Sequence, residues 1–440
     1  MIAEPTGAPD PGSRYLDPAI ETMARPELEA LQTERLLERL PQVYEHSALM
    51  RSVWQAAGIS WRDINSLEAF SKLAPFVDKD RIRQFRADHA DPVGGLLCVP
   101  HAHIAVLGSS SGTSGDPTPL PQQANGPLVV GLARDFWEAG ARPGDYVANA
   151  QFTYRSSHAI ERFERIPVVP IFLDQGTEDL KALFDASVRF RPTVLYVVNN
   201  LLIAAIDDYG TRSGRDPAEV LASYKSVIFG GEPLSDRSRA LLARWGLRAQ
   251  QMTALGDVCG AIECREVDGC HTWEDLALVE HLQLDSSTPA ADGERGELVV
   301  TSLTEWVAPL IRFRSGDIVE LTRRPCRCGR THARIKVLGR TGDEIVIDGR
   351  SILPRDVWPA IEAVPATAAG LFQLIRRERH SDRLRIRVGY RGTSMAPGLA
   401  ADLASSVEAH LGLVPDVELV PEAQLLRLGP PHKIPRVSAV

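Results

Sequence analysis

Lysine is scarce in this sequence, and long apolar runs are missing. Only six of the 49 basic residues are lysine (Lys72, Lys79, Lys181, Lys225, Lys336 and Lys433), so arginine carries most of the positive charge. No apolar run approaches the ~18 residues of a membrane-spanning helix. The N-terminus also lacks the basic region and apolar core of a signal peptide. We therefore expect a cytoplasmic protein with no membrane partner.

The chain also lacks an excess of positive charge. Its 440 residues carry a net charge of −8, which excludes the broad basic surface of most nucleic-acid-binding proteins. With 24% charged and 44% hydrophobic residues, the composition is that of a globular protein with a large buried core. We predict no nucleic-acid partner, while a homodimer stays open.

Cysteine is too sparse for a disulfide framework, because the chain has only six cysteines. Five of them lie between Cys259 and Cys328. The string Cys326-Arg327-Cys328-Gly329 places two thiols on a tight turn. Cys264 and His271 would complete a closed Cys₃His set, which is typical of structural zinc. Spare candidates are Cys259, Cys270 and His332. The alternative is a group of free cysteines buried as small apolar residues.

The distribution of apolar runs predicts an α/β fold with two domains. Helical periodicity marks residues 18–44, and short β-branched runs alternate with helical patterns from 101 to 252. Residues 260–339 are richer in strands and turns, and helices and strands alternate again after Arg340. We predict a disordered tail (1–16), a large layered α/β core with a β-rich subdomain (17–339, the zinc site within 259–332) and a small α+β C-terminal domain (340–440).

A hydroxyl-rich loop follows the apolar run at 103–107 and reads Gly108-Ser109-Ser110-Ser111-Gly112-Thr113-Ser114-Gly115-Asp116-Pro117-Thr118. Glycines let backbone N–H groups turn toward one point, and hydroxyls add donors, so such a loop can cradle phosphate oxygens. The alternative is a flexible linker. The string matches neither the P-loop nor the dinucleotide-binding pattern.

Four more strings follow this loop in order: Phe229-Gly230-Gly231-Glu232-Pro233, Thr253-Ala254-Leu255-Gly256-Asp257-Val258, Arg312-Phe313-Arg314-Ser315-Gly316-Asp317 and Gly339-Arg340-Thr341-Gly342-Asp343-Glu344. Together they resemble the phenylacetate–CoA ligase family of the adenylate-forming superfamily, from about Asp17 to the last ten residues. The resemblance implies that ATP and Mg²⁺ activate a carboxylic acid as an acyl-adenylate, which then passes its acyl group to coenzyme A. It also implies a small C-terminal domain that rotates between the two half-reactions.

The resemblance assigns roles to individual residues. It implies that Ser109, Ser110, Ser111, Gly112, Thr113, Ser114 and Gly115 hold the β- and γ-phosphates, that Gly230, Gly231 and Glu232 flank the adenine, and that Asp317, with Arg314 beside it, binds the ribose. Asp257 stands at the position of the Mg²⁺-binding glutamate, and Lys433 at that of the catalytic lysine. Arg340 and Gly342 fall in the hinge.

The sequence also departs from the family pattern. Asp116 stands where a phosphate-facing lysine is expected, and Thr253 and Gly256 replace an aromatic residue and a hydroxyl. In the acid pocket, Phe152 and Tyr154 could wall an aromatic ring, and Arg155 or His158 could address a polar substituent. We therefore expect an aromatic or similarly compact acid. The alternatives are an amine, another nitrogen nucleophile or a carrier-protein thiol as acceptor, or a catalytically lapsed scaffold.

Overall fold

A computed structural model describes residues 9–109, 118–150, 165–173, 180–197, 199–392, 396–428 and 434–440. Its α-helices are α1 (Pro18–Glu21), α2 (Arg25–His46), α3 (Ala48–Ala56), α4 (Leu67–Leu73), α5 (Lys79–His89), α6 (Pro127–Glu138), α7 (Leu180–Phe190), α8 (Asn200–Ser213), α9 (Pro217–Val220), α10 (Asp236–Arg244), α11 (Pro354–Glu362), α12 (Leu399–Leu411) and α13 (Glu422–Leu426). Short 3₁₀ turns cover Trp61–Asp63, His101–His103, Thr341–Asp343 and Pro365–Thr367.

The strands confirm the expected mixed α/β architecture. They are β1 (Val106–Ser109), β2 (Pro119–Gln122), β3 (Tyr146–Asn149), β4 (Val169–Phe172), β5 (Val194–Val197), β6 (Ser226–Gly230), β7 (Arg248–Leu255), β8 (Cys259–Glu263), β9 (Cys270–Thr272), β10 (Ala277–Leu282), β11 (Arg295–Ser302), β12 (Phe313–Thr322), β13 (Arg334–Arg340), β14 (Ile345–Ile347), β15 (Arg350–Ile352), β16 (Phe372–Ile375), β17 (Arg385–Tyr390), β18 (Asp416–Pro421) and β19 (Val437–Ser438).

Two compact units are formed by the described residues. The first lies within Met1–Val147, Phe152–Ile171 and Met252–Val337, and the second within Ala148–Gln151, Phe172–Gln251 and Leu338–Val440. The predicted division at residue 340 stays a prediction. Among the described residues, no helix combines the length and the apolar character needed to cross a membrane.

The first unit contains strands in the order β10-β11-β12-β13-β9-β8, with residues 252–255 of β7 beside β8. The pairs β10–β11, β11–β12, β13–β9, β9–β8 and β8–β7 are antiparallel. Helix α6 covers β8, where the indole Nε1 of Trp273 donates a hydrogen bond of 3.0 Å to Asp135 Oδ1. Trp137, Trp273 and Phe313 are fully buried in this unit. Large aromatic side chains supply much of the apolar area that stabilises such a core.

The described residues of the second unit form two large apolar cores and a smaller cluster. Strands β5 and β6 run parallel, with Val194 opposite Ser226, and every residue of both strands is buried. Continuous apolar runs of this kind are typical of parallel strands covered on both faces. The other core lies within residues 345–407, around Trp358, Phe372 and Val388, on the four-stranded sheet β18-β17-β16-β19.

Candidate active site and metal centre

Asp257 lies at the tip of a tight turn between β7 and β8. Leu255 pairs with Cys259 across the hairpin, and the turn closes with a hydrogen bond of 3.0 Å from the Val258 amide to the Leu255 carbonyl. Gly256 and Asp257 both have left-handed backbones, with φ of 55° and 63°. The turn therefore holds an aspartate in a backbone conformation that is uncommon for a residue other than glycine.

The structure gives a steric reason for Gly256, one of the departures from the family pattern. A Cβ atom at this position would lie 2.5 Å from Val300 Cγ2 and 3.3 Å from Ser315 Cβ. With the positive φ, this crowding makes glycine the residue that fits without displacement. Glycine thus replaces the hydroxyl residue of the family pattern at a position where the turn packs closely against β11.

Lys79 is the partner of Asp257, and the sequence motifs did not point to it. Its Nζ lies 2.9 Å from Asp257 Oδ2, with about a fifth of each side chain exposed. Lys79 is the first residue of α5, whose N-cap Asp78 accepts a hydrogen bond of 2.8 Å from the Arg81 amide. The scarcity of lysine was the signal that could have drawn attention to it.

A small cavity lies beside Asp257 in the first unit. Its lining comes from β2, the Asp257 turn and the segment after β11: Leu96, Pro119, Leu120, Pro121, Gln122, Asp257, Val258, Ser302, Glu305, Ala308 and Leu310. Strands β1 and β2 pair antiparallel, with Ser109 opposite Pro119, and most of the hydroxyl-rich string lies between them in the sequence. The strand that follows this string therefore lines the same cavity as Asp257.

Glu305 is a buried acid of this cavity that the sequence did not reveal. It is 7% exposed, and its Oε1 accepts hydrogen bonds from the backbone amides of Trp306 (3.0 Å) and Val307 (2.9 Å). Burial raises the pKa of Glu305 to about 7, although these amides and the charge of Arg39 oppose the shift. The loss of solvation therefore has a larger effect on the pKa of Glu305 than its polar contacts have.

Asp317 sits in an irregular stretch of β12. The pairing with β11 shifts between Glu297 and Val299, and Gly316 has a φ of 74°, which marks a bulge. The Asp317 amide donates to Ser315 Oγ at 3.0 Å. Because Ser315 also lies beside Gly256, the bulge and the Asp257 turn are neighbours.

Arg314, predicted beside the ribose, makes protein contacts in this structure. Its Nη1 donates to Glu297 Oε2 and its Nη2 to the Ser286 carbonyl, both at 2.6 Å. Its guanidinium also lies over Phe76 at 4.3 Å, beside that of Arg312 at 4.1 Å. These contacts fix the strand on which Asp317 lies.

The predicted adenine-flanking residues lie in the second unit, at the end of β6. Gly230 closes the strand, and Gly231 has a φ of 109°, which favours glycine. Both oxygens of Glu232 are engaged: Oε1 by the amide and the side chain of Asn200, each at 2.8 Å, and Oε2 by Arg436 at 3.1 Å. Glu232 therefore fixes the backbone of the turn.

The predicted hinge residues lie where β13 ends. Arg340 is its last residue, and Gly342 follows in the 3₁₀ turn Thr341–Asp343. A Cβ atom added at Gly342 would meet no described atom within 4 Å, so this conformation does not require glycine there. Its neighbour Arg340 keeps an extended backbone (φ −124°).

The four predicted metal ligands come together. The ligand atoms of Cys264, His271, Cys326 and Cys328 all lie within 4.8 Å of one another. The Cys264 and Cys326 sulfurs are 3.7 Å apart, and Cys328 Sγ is 3.3 Å from His271 Nε2. With Zn–S bonds of about 2.3 Å, a tetrahedral site has sulfur–sulfur distances of roughly 3.8 Å. The donor set and its spacing therefore fit zinc.

The surroundings of this Cys₃His cluster also suit a closed structural site. The Nδ1 atom of His271 lies 3.1 Å from the His332 carbonyl, which leaves Nε2 facing the thiols. All members are buried except Cys326, which is partly exposed. The spare candidates lie outside the cluster: Cys259 and Cys270 are buried cysteines that form no disulfide, and His332 contacts the Glu274 amide and the Ile20 carbonyl.

Several predicted site residues lie outside the described part of the chain. They are Ser110, Ser111, Gly112, Thr113, Ser114 and Gly115 of the phosphate loop, Phe152, Tyr154, Arg155 and His158 of the acid pocket, and Lys433. Asp116 belongs to the same group. Their roles stay predictions.

The chain was compared with known protein families, sequences and structures. No protein-family model matches it. The phenylacetate-coenzyme A ligase of Thermus thermophilus is 32% identical over 384 residues, which cover 84% of this chain and 83% of that protein. The phenylacetate-coenzyme A ligase of Aromatoleum evansii is 30% identical over 429 residues, covering 93% of each.

Among solved structures, 2-hydroxyisobutyryl-CoA ligase in the postadenylation state in complex with 2-HIB-AMP has a TM-score of 0.83 at 25% identity. The match covers 98% of this chain and 94% of that chain. The chain belongs to the phenylacetate–CoA ligase family of adenylate-forming enzymes.

Proposed function

We propose that this protein is an ATP-dependent acid–CoA ligase, which activates an aromatic or similarly compact carboxylic acid as an acyl-adenylate and passes the acyl group to coenzyme A. The observation that carries the proposal is the Asp257 turn. It presents an acid to a cavity that is also lined by β2, the strand that follows the hydroxyl-rich loop. Family membership supplies the reaction class.

The first half-reaction needs positive charge and alignment, because a carboxylate must approach a polyphosphate. When bound at Asp257, Mg²⁺ would neutralise phosphate charge and hold the phosphates in line. Lys79 already holds a positive charge at this carboxylate, 2.9 Å away. We therefore assign Lys79 to the electrostatics of the phosphate site, where it offsets the acid that replaces a lysine at position 116.

The remaining nucleotide contacts are proposed from the family pattern. The backbone amides and hydroxyls of 109–115 would hold the β- and γ-phosphates, and Asp317 would accept hydrogen bonds from the ribose hydroxyls. Arg314 and Glu232 would act by fixing the backbone around Asp317 and Gly231, since their charged atoms are engaged by protein groups. Lys433 would donate to the substrate carboxylate and the α-phosphate.

The substrate proposal rests on family names and on the predicted pocket. The relatives named above are phenylacetate-coenzyme A ligases. Phe152 and Tyr154 would line the pocket around a planar acid, and Arg155 or His158 would contact a polar substituent of that acid. Residues 340–440 are proposed to rotate about Arg340 and Gly342, so that one site serves both half-reactions.

A structural zinc ion at Cys264, His271, Cys326 and Cys328 is also proposed. Three thiolates and one imidazole would close the coordination shell and leave no open position for a reacting water. The ion would join the β8–β9 connection and β9 to the Cys326–Cys328 turn. Its role would be stability rather than chemistry.

A single assay separates the ligase from the alternatives. The protein is incubated with ATP, Mg²⁺ and a panel of aryl and short-chain acids, with and without coenzyme A, while pyrophosphate and products are measured by mass spectrometry. Acid-dependent pyrophosphate together with an acyl-CoA supports the proposal. Acyl-adenylate without thioester would favour an amine or carrier-protein acceptor, and no acid-dependent pyrophosphate with any acid would favour a lapsed scaffold.

The same assay tests Lys433. Lys433→Ala should slow adenylate formation by roughly 10²–10³-fold, the usual effect of losing one donor to developing charge. Lys336→Ala is the matched control, because Lys336 is half-exposed and pairs with Asp268 away from the cavity-lining residues. Equal rates for the Lys433 variant and the wild type would remove Lys433 from the site.

A further inference from the structure

Arg436 joins the C-terminal end of the chain to the turn after β6, within the second unit. Its Nη2 lies 3.1 Å from Glu232 Oε2, and the two side chains are only 13% and 7% exposed. Its Nη1 donates to the Gly370 carbonyl at 2.6 Å. The guanidinium stacks over Trp358 at 3.8 Å. A mostly buried, stacked ion pair has a fixed geometry, unlike a surface pair.

The Glu232 end of this pair is rigid. Besides its two bonds to Glu232, Asn200 donates from Nδ2 to the Pro233 carbonyl at 3.0 Å and accepts from the Ser235 amide at 3.0 Å. Asn200 is the first residue of α8. The carboxylate that meets Arg436 is therefore anchored to a helix end and to the backbone on both sides of the turn.

The Arg436 end of the pair is fixed to a sheet and to an apolar cluster, three residues after Lys433 in the sequence. The Arg436 carbonyl accepts a hydrogen bond of 2.8 Å from the Leu374 amide, and Val437 pairs with Leu374 in the sheet. Ile434 is 5% exposed in a cluster with Leu371 and Leu425. Residues 434–437 are therefore held by a sheet pairing and by an apolar cluster as well as by the ion pair.

We propose that Arg436 is a positioning residue for adenylate formation: its ion pair with Glu232 holds the chain that follows Lys433 in the sequence (434–440) at the Gly230–Glu232 turn, and the pair separates when the second half-reaction begins. The inference rests on the proposed function, because it presumes two half-reactions and the role of Lys433. An ion pair suits a contact that must open, since both charged groups are well solvated once apart. A purely apolar contact would leave apolar surface exposed in the open arrangement.

The test measures the half-reactions separately. Arg436→Met keeps an apolar side chain against Trp358 and removes the charge, and Glu232→Gln keeps an acceptor for Asn200 while removing the opposite charge. Adenylate formation is followed by pyrophosphate release without coenzyme A. Thioester formation is followed from chemically prepared acyl-adenylate plus coenzyme A. The control is Arg383→Met, which breaks the exposed pair with Asp416 inside residues 338–440.

Both variants should lose at least tenfold in the rate of adenylate formation, while thioester formation from supplied acyl-adenylate stays within about twofold of the wild type. The control should leave the ratio of the two rates unchanged. A parallel fall in both rates, or an unchanged ratio in the variants, would overturn the assignment of Arg436. The wild-type arm tests the proposed function independently, because it reports whether adenylate forms at all.

A second measurement does not depend on activity. Lys433 is the only lysine after Lys336, so a lysine-specific protease that cuts there releases a single seven-residue peptide, residues 434–440. Release of this peptide should be several-fold faster in Arg436→Met than in the wild type or Arg383→Met, whereas cutting after Lys336 should keep its rate. Equal release of the peptide from all three proteins would contradict the proposed anchoring.

Discussion

The ammonium of Lys79 and the carboxylate of Asp257 form an ion pair of 2.9 Å, although the two residues belong to distant parts of the sequence. Helix α5 supplies the lysine from its first position, and the β7–β8 turn supplies the acid. Lysine is a compact charge on a flexible stem, so the same ammonium can serve a carboxylate in the free enzyme and a phosphate oxygen when nucleotide is present. The pair as a whole is neutral, so the lysine offsets the charge of Asp257 in the free enzyme.

Replacing Lys79 should therefore affect catalysis more than stability. We expect Lys79→Met to slow adenylate formation by about 10²-fold, because one positive charge is lost where phosphate charge develops. The measurement is acid-dependent pyrophosphate release. Lys72→Met is the matched control, since Lys72 pairs with Glu68 on an exposed helix surface. Equal rates in the two variants would show that the Lys79 pair is only a structural contact.

Gly256 should tolerate no side chain in the wild-type background. We expect Gly256→Ala to lower the free energy of unfolding by about 2–4 kcal/mol, because the new Cβ would crowd Val300 and occupy a left-handed backbone. Urea unfolding followed by tryptophan fluorescence measures the change. Gly342→Ala, where the space is open, is the control and should change stability by less than about 1 kcal/mol.

A double variant separates the two causes of this loss. Adding Val300→Ala to Gly256→Ala removes the atom that the new Cβ would meet, so the double variant should lose less stability than the sum of the two single changes. Simple additivity would mean that the backbone conformation alone accounts for the cost. The result thus shows whether the family hydroxyl is absent here because of crowding by β11.

Some of this site could be read from the sequence, and some could not. The Cys₃His set was found because metal chemistry restricts the ligands to a few residue types and Cys326–Cys328 is a local turn. The strands between 101 and 252 were predicted because short β-branched runs alternate there with helical patterns, as at 194–197. The pairs Lys79–Asp257 and Arg436–Glu232 were missed, because ion pairing between distant segments depends on the tertiary fold and leaves no local pattern.

Zinc should copurify with the protein at about one equivalent per chain. Metal analysis after purification without chelators measures it, and Cys328→Ser should reduce the content several-fold, because a buried ligand of the tetrahedral set is lost. Cys259→Ala is the control, since Cys259 is buried outside the cluster. Zinc near zero in the wild type would show that the four residues form a metal-free polar cluster.

Removing the metal should destabilise the fold without changing the chemistry. Binding of an ion to the folded state alone stabilises that state by mass action, so a strong chelator should lower the Tm of the wild type by several degrees. The Tm of Cys328→Ser should start lower and respond little to the chelator. If the chelator removes the zinc and the Tm of the wild type does not change, the metal has no structural role.

Glu305 predicts a specific pH dependence of stability. Burial raises the pKa of this carboxyl to about 7 in the folded protein, above its ordinary value of 4.5. Between these two values the folded state binds more protons than the unfolded state, so the contribution of Glu305 is fully present below pH 4.5 and is lost as the pH rises to about 7. Glu305→Gln keeps an acceptor for the Trp306 and Val307 amides and cannot ionise.

From about pH 5 to about pH 8, the free energy of unfolding of the wild type should therefore fall by about 2–3 kcal/mol relative to Glu305→Gln. Urea unfolding of both proteins across this range measures the difference, in which the titration of other groups cancels. Parallel stability curves would show that the carboxyl of Glu305 ionises as easily in the folded protein as in the unfolded chain.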